Sequence, residues 1–146
     1  MPTNISNWVR LVPSVMVGLA TFLSSGLCEA KLIQIIHTND LHSYFRGYVD
    51  GRGGYARIAT LIRQLREAAK AKGIESLVLD GGDYSEGTSY YLSDNGVDST
   101  RALGLIGIEA AVLGNHDLLL GTKILAKELK EASAKSAASG VAFPKF

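Results

Sequence analysis

Three short polar clusters, each placed directly after an apolar run, contain the residues of this chain best suited to chemistry. They occupy residues 37–42, 80–83 and 114–117 and combine carboxylate, imidazole and carboxamide groups. Oxygen and nitrogen donors of this mixture suit a pair of divalent metal ions. The order of the three clusters therefore predicts one shared metal site rather than three unrelated loops.

The spacing within each cluster indicates which side chains share an ion. Asp40 and His42 are two residues apart, and in an extended segment such residues point the same way, so both can reach one ion. Two glycines let the backbone turn tightly before Asp83, whose two carboxylate oxygens can bridge two cations. Asn115 offers a neutral carbonyl oxygen, while the adjacent His116 points elsewhere and is free to do chemistry.

Taken singly, each motif is also compatible with a structural role. The Asp-x-His pair fits a turn, the Gly-Gly-Asp run fits a loop, and the Asn-His-Asp run fits the cap of a following helix. We expect His37 to be structural and Asp80 to hydrogen-bond loop amides. Only the order of the motifs at successive strand ends favours a common site.

The apolar runs before the clusters predict three strands of a parallel sheet. Residues 32–36 are nearly all apolar, which is typical of a strand buried on both faces. The same pattern recurs at residues 76–80 and 110–113. Ligands of such sheets gather at the carboxyl ends of the strands, where all three clusters fall.

The segments between the strands predict helices and loops. An amphipathic helix is expected over residues 55–72, and a weaker one from residue 98 or 99 to residue 106. A last helix begins at residue 121 or 122, and residues 43–54 and 81–96 are expected to be loops. Alternating strands and helices predict an α/β layered fold.

Length and composition narrow the class of protein. The 146 residues are enough for one ordinary domain. With 47% hydrophobic and 20% charged residues, the chain is expected to form a core rather than to be disordered. The net charge of +1 argues against a surface that binds a nucleic-acid polymer.

Residues 1–30 resemble a signal peptide. An apolar stretch at residues 11–23 is followed by small residues at Cys28 and Ala30, the spacing that a signal peptidase reads, with cleavage after Ala30. The apolar stretch is short beside the roughly 20 residues of a membrane span. We therefore expect an exported protein, periplasmic or extracellular, with no stable membrane span after cleavage. The alternatives are a retained N-terminal anchor and, disfavoured by the bulky Leu27, a lipid anchor on Cys28.

The motifs together resemble those of the calcineurin-like metallophosphoesterases, and more closely their 5′-nucleotidase branch. The resemblance is carried by residues 36–42, 81–83 and 114–117, and by a Gly-Gly-Tyr-Ala-Arg run at residues 53–57. It extends from residue 32 to about residue 130. It implies the sheet-and-helix layers of that family, of which this chain would supply the first half.

The resemblance also implies a role for each candidate residue. Asp40 and His42 would bind a first metal ion, Asp83 would bridge to a second, and Asn115 would bind the second. Two divalent ions, Mn, Zn, Mg or Ca, would hold a hydroxide that attacks the phosphorus of a nucleotide or another phosphate ester. His116 would stabilise the transition state or protonate the leaving oxygen.

Two departures from the family pattern affect this expectation. Leu119 occupies the position, three residues after His116, where the branch usually has an acidic residue that orients the imidazole. The family also uses further histidines from the second half of its catalytic domain, whereas this sequence has three in all. We therefore interpret residues 31–146 as the N-terminal portion of a catalytic domain whose remaining half is missing.

Two functions are compatible with these residues. The first is metal-dependent hydrolysis of phosphate esters, of the 5′-nucleotidase type, through a dinuclear metal-bound hydroxide. The second is a truncated, non-catalytic remnant that binds at most one metal ion. In either case, half of a sheet is expected to expose an edge and a hydrophobic face.

Overall fold

A three-stranded parallel sheet forms the centre of the computed structural model, which describes residues 30–146. The strands are β1 (Ile33–Thr38), β2 (Glu75–Asp80) and β3 (Ala110–Ala111), and they lie in the order β1-β2-β3. In the register of the sheet, Thr38 lies opposite Asp80, so β1 and β2 end side by side. The α/β prediction is confirmed, and the expected signal peptide lies outside the described residues.

Within residues 30–146, four helices connect and flank the strands. They are α1 (Tyr55–Lys70), α2 (Ser89–Asp94), α3 (Val97–Ile106) and α4 (Thr122–Ser139). Helices α1, α3 and α4 confirm the predicted helices to within a few residues at their ends. Helix α2 was not predicted, because its sequence lies in a segment rich in glycine and polar residues. Its N-terminus is capped by the Thr88 side chain, which accepts a hydrogen bond from the Tyr90 amide.

The core lies between the sheet and helices α1 and α3. Val78 in β2 and Leu103 in α3 are fully buried, and Ile62 in α1 is 4% exposed. Each such side chain contributes roughly 1.5–3 kcal/mol by leaving water. Because these residues join the sheet to both helices, their packing fixes the strands whose ends carry the polar clusters.

The other face of the sheet is open in the part of the chain that the structure describes. Ile33 and Ile35 in β1 are 53% and 64% exposed, and Leu77 in β2 is 38% exposed. The prediction that the β1 segment is buried on both faces is therefore wrong for these residues, because the helices cover one face. The exposed hydrophobic face expected of half a sheet is present, and His37 shares its exposed side.

The third strand is shorter than predicted, yet its hydrogen bonding continues in both directions. Past its end, the Val112 amide donates to the Asp80 carbonyl at 3.1 Å. On its outer side, the Ala111 amide donates to the Lys145 carbonyl at 2.8 Å, in a parallel bridge. The turn after β3 is therefore held to β2, and this brings the third polar cluster beside the second.

Candidate metal centre

The loops that follow β1 and β2 run side by side beyond the strands. The Asp40 amide donates to the Gly82 carbonyl and the His42 amide to the Asp83 carbonyl, both at 3.0 Å. These bonds extend the pairing of the two strands by several residues. They place the first and second polar clusters at the same edge of the sheet, as parallel strand ends require.

The backbone of these loops is not extended. Asp40, His42, Ser43 and Asp83 have φ values of 53°, 48°, 52° and 56°, in the left-handed region that non-glycine residues rarely adopt. Such conformations cost on the order of 1 kcal/mol each and are common at functional sites. The reasoning that an extended segment aligns Asp40 with His42 is therefore wrong. The two side chains nevertheless converge, with Asp40 Oδ1 3.9 Å from His42 Nε2.

Asp117 joins the second polar cluster to the third. Its buried carboxylate, 5% exposed, accepts hydrogen bonds through Oδ2 from the amides of Asp83 (2.8 Å) and Gly114 (2.9 Å). Through Oδ1 it accepts from the Tyr84 amide (3.1 Å), the Ser85 amide (3.1 Å) and the Ser85 hydroxyl (2.9 Å). Asp117, to which sequence reasoning gave no role, therefore organises both loops.

The carboxylate of Asp83 is held against the third loop. Its Oδ1 accepts a hydrogen bond from the His116 amide at 2.8 Å. A Cβ atom added to Gly114 would lie 2.1 Å from the same oxygen, well inside contact distance. Gly114 is therefore required by close approach, and Asp83 and His116 are held as neighbours.

Three donor side chains meet where these loops converge. The ligand atoms of His42, Asp83 and His116 lie within 4.8 Å of one another, and all three residues are half-buried. The two imidazole rings meet edge to face, with centroids 4.9 Å apart and planes at 82°. Three evenly spaced ligands of one ion, each about 2.1 Å from it, are at most about 3.6 Å apart, so the side chains would close in on a bound ion. Imidazole nitrogen and carboxylate oxygen are donors that divalent metals bind, so the residues fit a divalent metal.

The remaining candidate residues lie at the border of this cluster. The Asp40 side chain is 60% exposed and lies beside His42. Asn115, between Gly114 and His116, is exposed. The structure places His116, expected to do chemistry rather than to bind metal, directly beside His42 and Asp83.

Glu86 contacts both histidines and was missed by sequence reasoning. Its backbone carbonyl lies 2.6 Å from His42 Nδ1, and its carboxylate Oε2 lies 2.8 Å from His116 Nδ1. The available signal was indirect: His116 lacks an acidic residue at Leu119, and Glu86 is the first acid after Asp83. A single glutamate in a loop does not by itself predict a contact with a histidine.

Asp80 has the structural role expected of it. Its Oδ2 accepts from the Thr38 hydroxyl at 2.6 Å and its Oδ1 from the Gly82 amide at 2.9 Å. Burial raises the pKa of this carboxyl, and the nearby carboxylates of Asp117 and Asp40 act in the same direction, against the two hydrogen bonds. Asp80 therefore fixes the end of β2.

A family model gives this arrangement a name. The model described as calcineurin-like phosphoesterase matches residues 33–143, which include all three polar clusters. The chain belongs to the calcineurin-like phosphoesterases. The family and its α/β fold are those that the resemblance implied.

Individual proteins are similar to about two thirds of this chain. The chain is 34% identical to a 5′-nucleotidase of Vibrio cholerae over 101 residues, 69% of this chain and 18% of that protein. In structure it is similar to the Haemophilus influenzae NAD nucleotidase NadN, with a TM-score of 0.59, 27% identity and coverage of 68% and 19%. It is also similar to a 5′-nucleotidase precursor of Thermus thermophilus, with a TM-score of 0.56, 31% identity and coverage of 68% and 20%.

The chain spans about a fifth of the length of these relatives. Among residues 30–146, no helix is both long and apolar enough to cross a membrane.

Proposed function

We propose that this chain contributes the strand-end residues of a metal-dependent phosphoesterase that hydrolyses nucleotides or related phosphate esters. The observation that supports it most directly is the convergence of His42, Asp83 and His116 within 4.8 Å at the ends of parallel strands. The family assignment and the 5′-nucleotidases among its relatives support the choice of substrate class.

The proposed sets of metal ligands are assigned from the position of each donor side chain. Asp40, His42 and Asp83 would hold a first divalent ion, and Asp83 and Asn115 a second. The 3.9 Å between Asp40 Oδ1 and His42 Nε2 supports the first set, because both atoms face the same space. When bound, the ions supply activation of water and neutralise the charge that develops on the phosphoryl group.

His116 is proposed to act on the substrate rather than to complete a ligand set. Its backbone amide donates to Asp83 Oδ1, which holds the His116 backbone beside the carboxylate proposed to bridge the ions. From there the ring stabilises the charged transition state or protonates the leaving oxygen.

The second candidate function is metal binding without turnover. It is favoured by one observation: the described donors form a single compact cluster, while Asn115 is exposed beside it. In this case His42, Asp83 and His116 would bind one ion together.

A paired assay distinguishes the two functions. The purified chain is titrated with Mn²⁺ or Zn²⁺ by calorimetry and assayed with nucleoside 5′-monophosphates and a generic aryl phosphate. Turnover that depends on metal and is lost in Asp83→Asn supports hydrolysis. One bound ion without turnover supports the second function and rejects catalysis by this chain. Asp98→Asn is the matched control, because its side chain is 59% exposed and paired with Arg101.

Export is a further part of the proposal, supported by the pattern of residues 1–30. Expression of the whole chain in a bacterial host, followed by intact mass measurement of the exported fraction, tests it. Loss of residues 1–30 supports cleavage after Ala30. A full-length mass in a membrane fraction would indicate a retained anchor instead.

A further inference from the structure

Glu86 contacts both imidazoles of the candidate site through two different groups. Its backbone carbonyl oxygen lies 2.6 Å from His42 Nδ1, and its carboxylate Oε2 lies 2.8 Å from His116 Nδ1. The same Oε2 is 4.0 Å from His42 Nδ1. One residue therefore meets the same nitrogen atom of each ring.

The chemistry of the two partners fixes where the ring hydrogens are. A carbonyl oxygen and a carboxylate oxygen accept hydrogen bonds, so Nδ1 must be the donor in both rings. In its neutral form each imidazole then carries its hydrogen on Nδ1 and leaves the Nε2 lone pair available. For His42, that free atom is the one that lies 3.9 Å from Asp40 Oδ1, where the proposed ion would bind.

The segment that carries Glu86 is held in place independently of its side chain. The Thr88 hydroxyl donates to the Ser43 carbonyl at 3.0 Å, and the Ser43 hydroxyl donates to the Ser85 carbonyl. Gly87, with φ of 141°, lies so close to His42 that an added Cβ would be 2.6 Å from the histidine Cβ. The Glu86 carbonyl is thus held by the backbone of its segment, whereas the contact of its half-buried carboxylate with His116 depends on the side chain.

We infer that Glu86 is a positioning residue that orients both imidazoles, holding His42 through its backbone and His116 through its carboxylate. The inference rests on the proposed function for its consequence, although the contacts do not depend on it. It gives His116 the acidic partner that Leu119 does not supply, from the loop after β2 instead of from the turn after β3. A histidine that is held by a carboxylate through one nitrogen presents the other in a defined direction.

The two contacts predict different responses to the same substitution. Glu86→Ala removes the carboxylate and leaves the backbone carbonyl. His116 is then expected to lose its preference for a hydrogen on Nδ1, whereas His42 retains it.

Nuclear magnetic resonance of the metal-free, ¹⁵N-labelled whole chain tests this expectation. The sequence has three histidines, so each ring can be assigned by a single substitution. Two-bond proton–nitrogen spectra at about pH 9, where free imidazole is uncharged, report which ring nitrogen carries the hydrogen. Both His42 and His116 should carry it on Nδ1 in the unsubstituted chain. Glu131→Ala, on the exposed face of α4, is the matched control and should leave both rings unchanged.

The outcomes separate this inference from the proposed function. If His116 carries its hydrogen on Nε2 in the unsubstituted chain, or keeps it on Nδ1 in Glu86→Ala, the inference is wrong whether or not the chain is active. The unsubstituted chain alone provides the first of these tests, should Glu86→Ala not fold. If the rings respond as expected and no metal-dependent turnover is found, the inference stands and the proposed function fails.

Discussion

Asp117 Oδ2 accepts a hydrogen bond from the Asp83 amide at 2.8 Å, across the gap between the loops after β2 and β3. The same buried carboxylate holds three other amides and a hydroxyl. The candidate site is therefore built around a side chain that is not among its proposed metal ligands.

Replacing Asp117 should destabilise the whole fold. Asp117→Ala leaves several buried amides without an acceptor, at about 1–3 kcal/mol for each, so the free energy of unfolding should fall by at least about 3 kcal/mol. Urea denaturation followed by circular dichroism measures the change. Asp98→Ala, an exposed aspartate, is the control and should change it by less than about 1 kcal/mol. A similar small change in both variants would contradict a central role for Asp117.

Glu128 should make stability depend on pH. Its side chain is 4% exposed, and burial, aided by the charges of Asp117 and Asp94 and opposed by a hydrogen bond from Thr100, raises its pKa to about 7. Because the folded pKa lies above the ordinary value of 4.5, the folded state binds the proton more tightly than the unfolded state. The stabilisation is complete below about pH 4.5 and is lost as the pH rises through about 7, an effect on the order of 3 kcal/mol.

Glu128→Gln isolates this contribution. The amide oxygen keeps an acceptor for the Thr100 hydroxyl but cannot ionise. The variant should therefore match the unsubstituted chain at about pH 5 and be more stable at about pH 8. Urea denaturation at both values checks this, with Glu131→Gln as the exposed control on the same helix. Equal slopes of stability against pH in both proteins would be inconsistent with a buried, proton-binding Glu128.

Gly114 should be needed for metal affinity. In Gly114→Ala the added Cβ would occupy the position of Asp83 Oδ1, so the carboxylate must move away from His116. Affinity for Mn²⁺ or Zn²⁺, measured by calorimetry, should fall about tenfold or more. Gly73→Ala is the control for affinity: its φ of 70° makes the alanine strained, but nothing lies within 4 Å of the added Cβ, so the metal affinity should not change. Unchanged affinity in Gly114→Ala would remove Asp83 from the proposed ligand set.

Leu119 offers a way to relocate the acidic partner of His116. If the chain is active, Glu86→Ala should lower kcat about 10–100-fold with little change in KM, since orientation rather than substrate binding is lost. Adding Leu119→Asp places a carboxylate in the turn where the Leu119 amide already bonds the His116 carbonyl at 3.2 Å. It should restore part of kcat and the Nδ1 hydrogen of His116. Partial recovery by Leu119→Ala as well would argue against a role for the carboxylate.

The sequence was sufficient to predict the parts of this molecule that follow from periodicity. Apolar runs and amphipathic stretches located β1, β2 and helix α1, and the ends of parallel strands must share an edge of the sheet. For that reason His42 and Asp83 were expected to meet, and they do. The proposed roles of Asp40, Asn115 and His116 remain predictions.

Other features depend on contacts that no local pattern encodes. The apolar run of β1 indicates a strand, but it does not say whether a helix covers Ile33 and Ile35. Glu86 reaches His116 across 30 residues of chain, and Asp117 reaches Asp83 across 34. Such contacts can be identified only when the three-dimensional positions of the loops are known.

The backbone pairing that continues from β1 and β2 into the loops makes the donor cluster part of the sheet's cooperative unit. The amides of Asp40 and His42 are bonded to carbonyls of the neighbouring loop, as strand amides are. Their hydrogens should exchange with solvent as slowly as those of β1, and far more slowly than those of an ordinary surface loop. The donor loops are therefore already ordered before an ion binds. Most of the conformational entropy that is lost in ordering these loops is lost during folding, and little of it during ion binding.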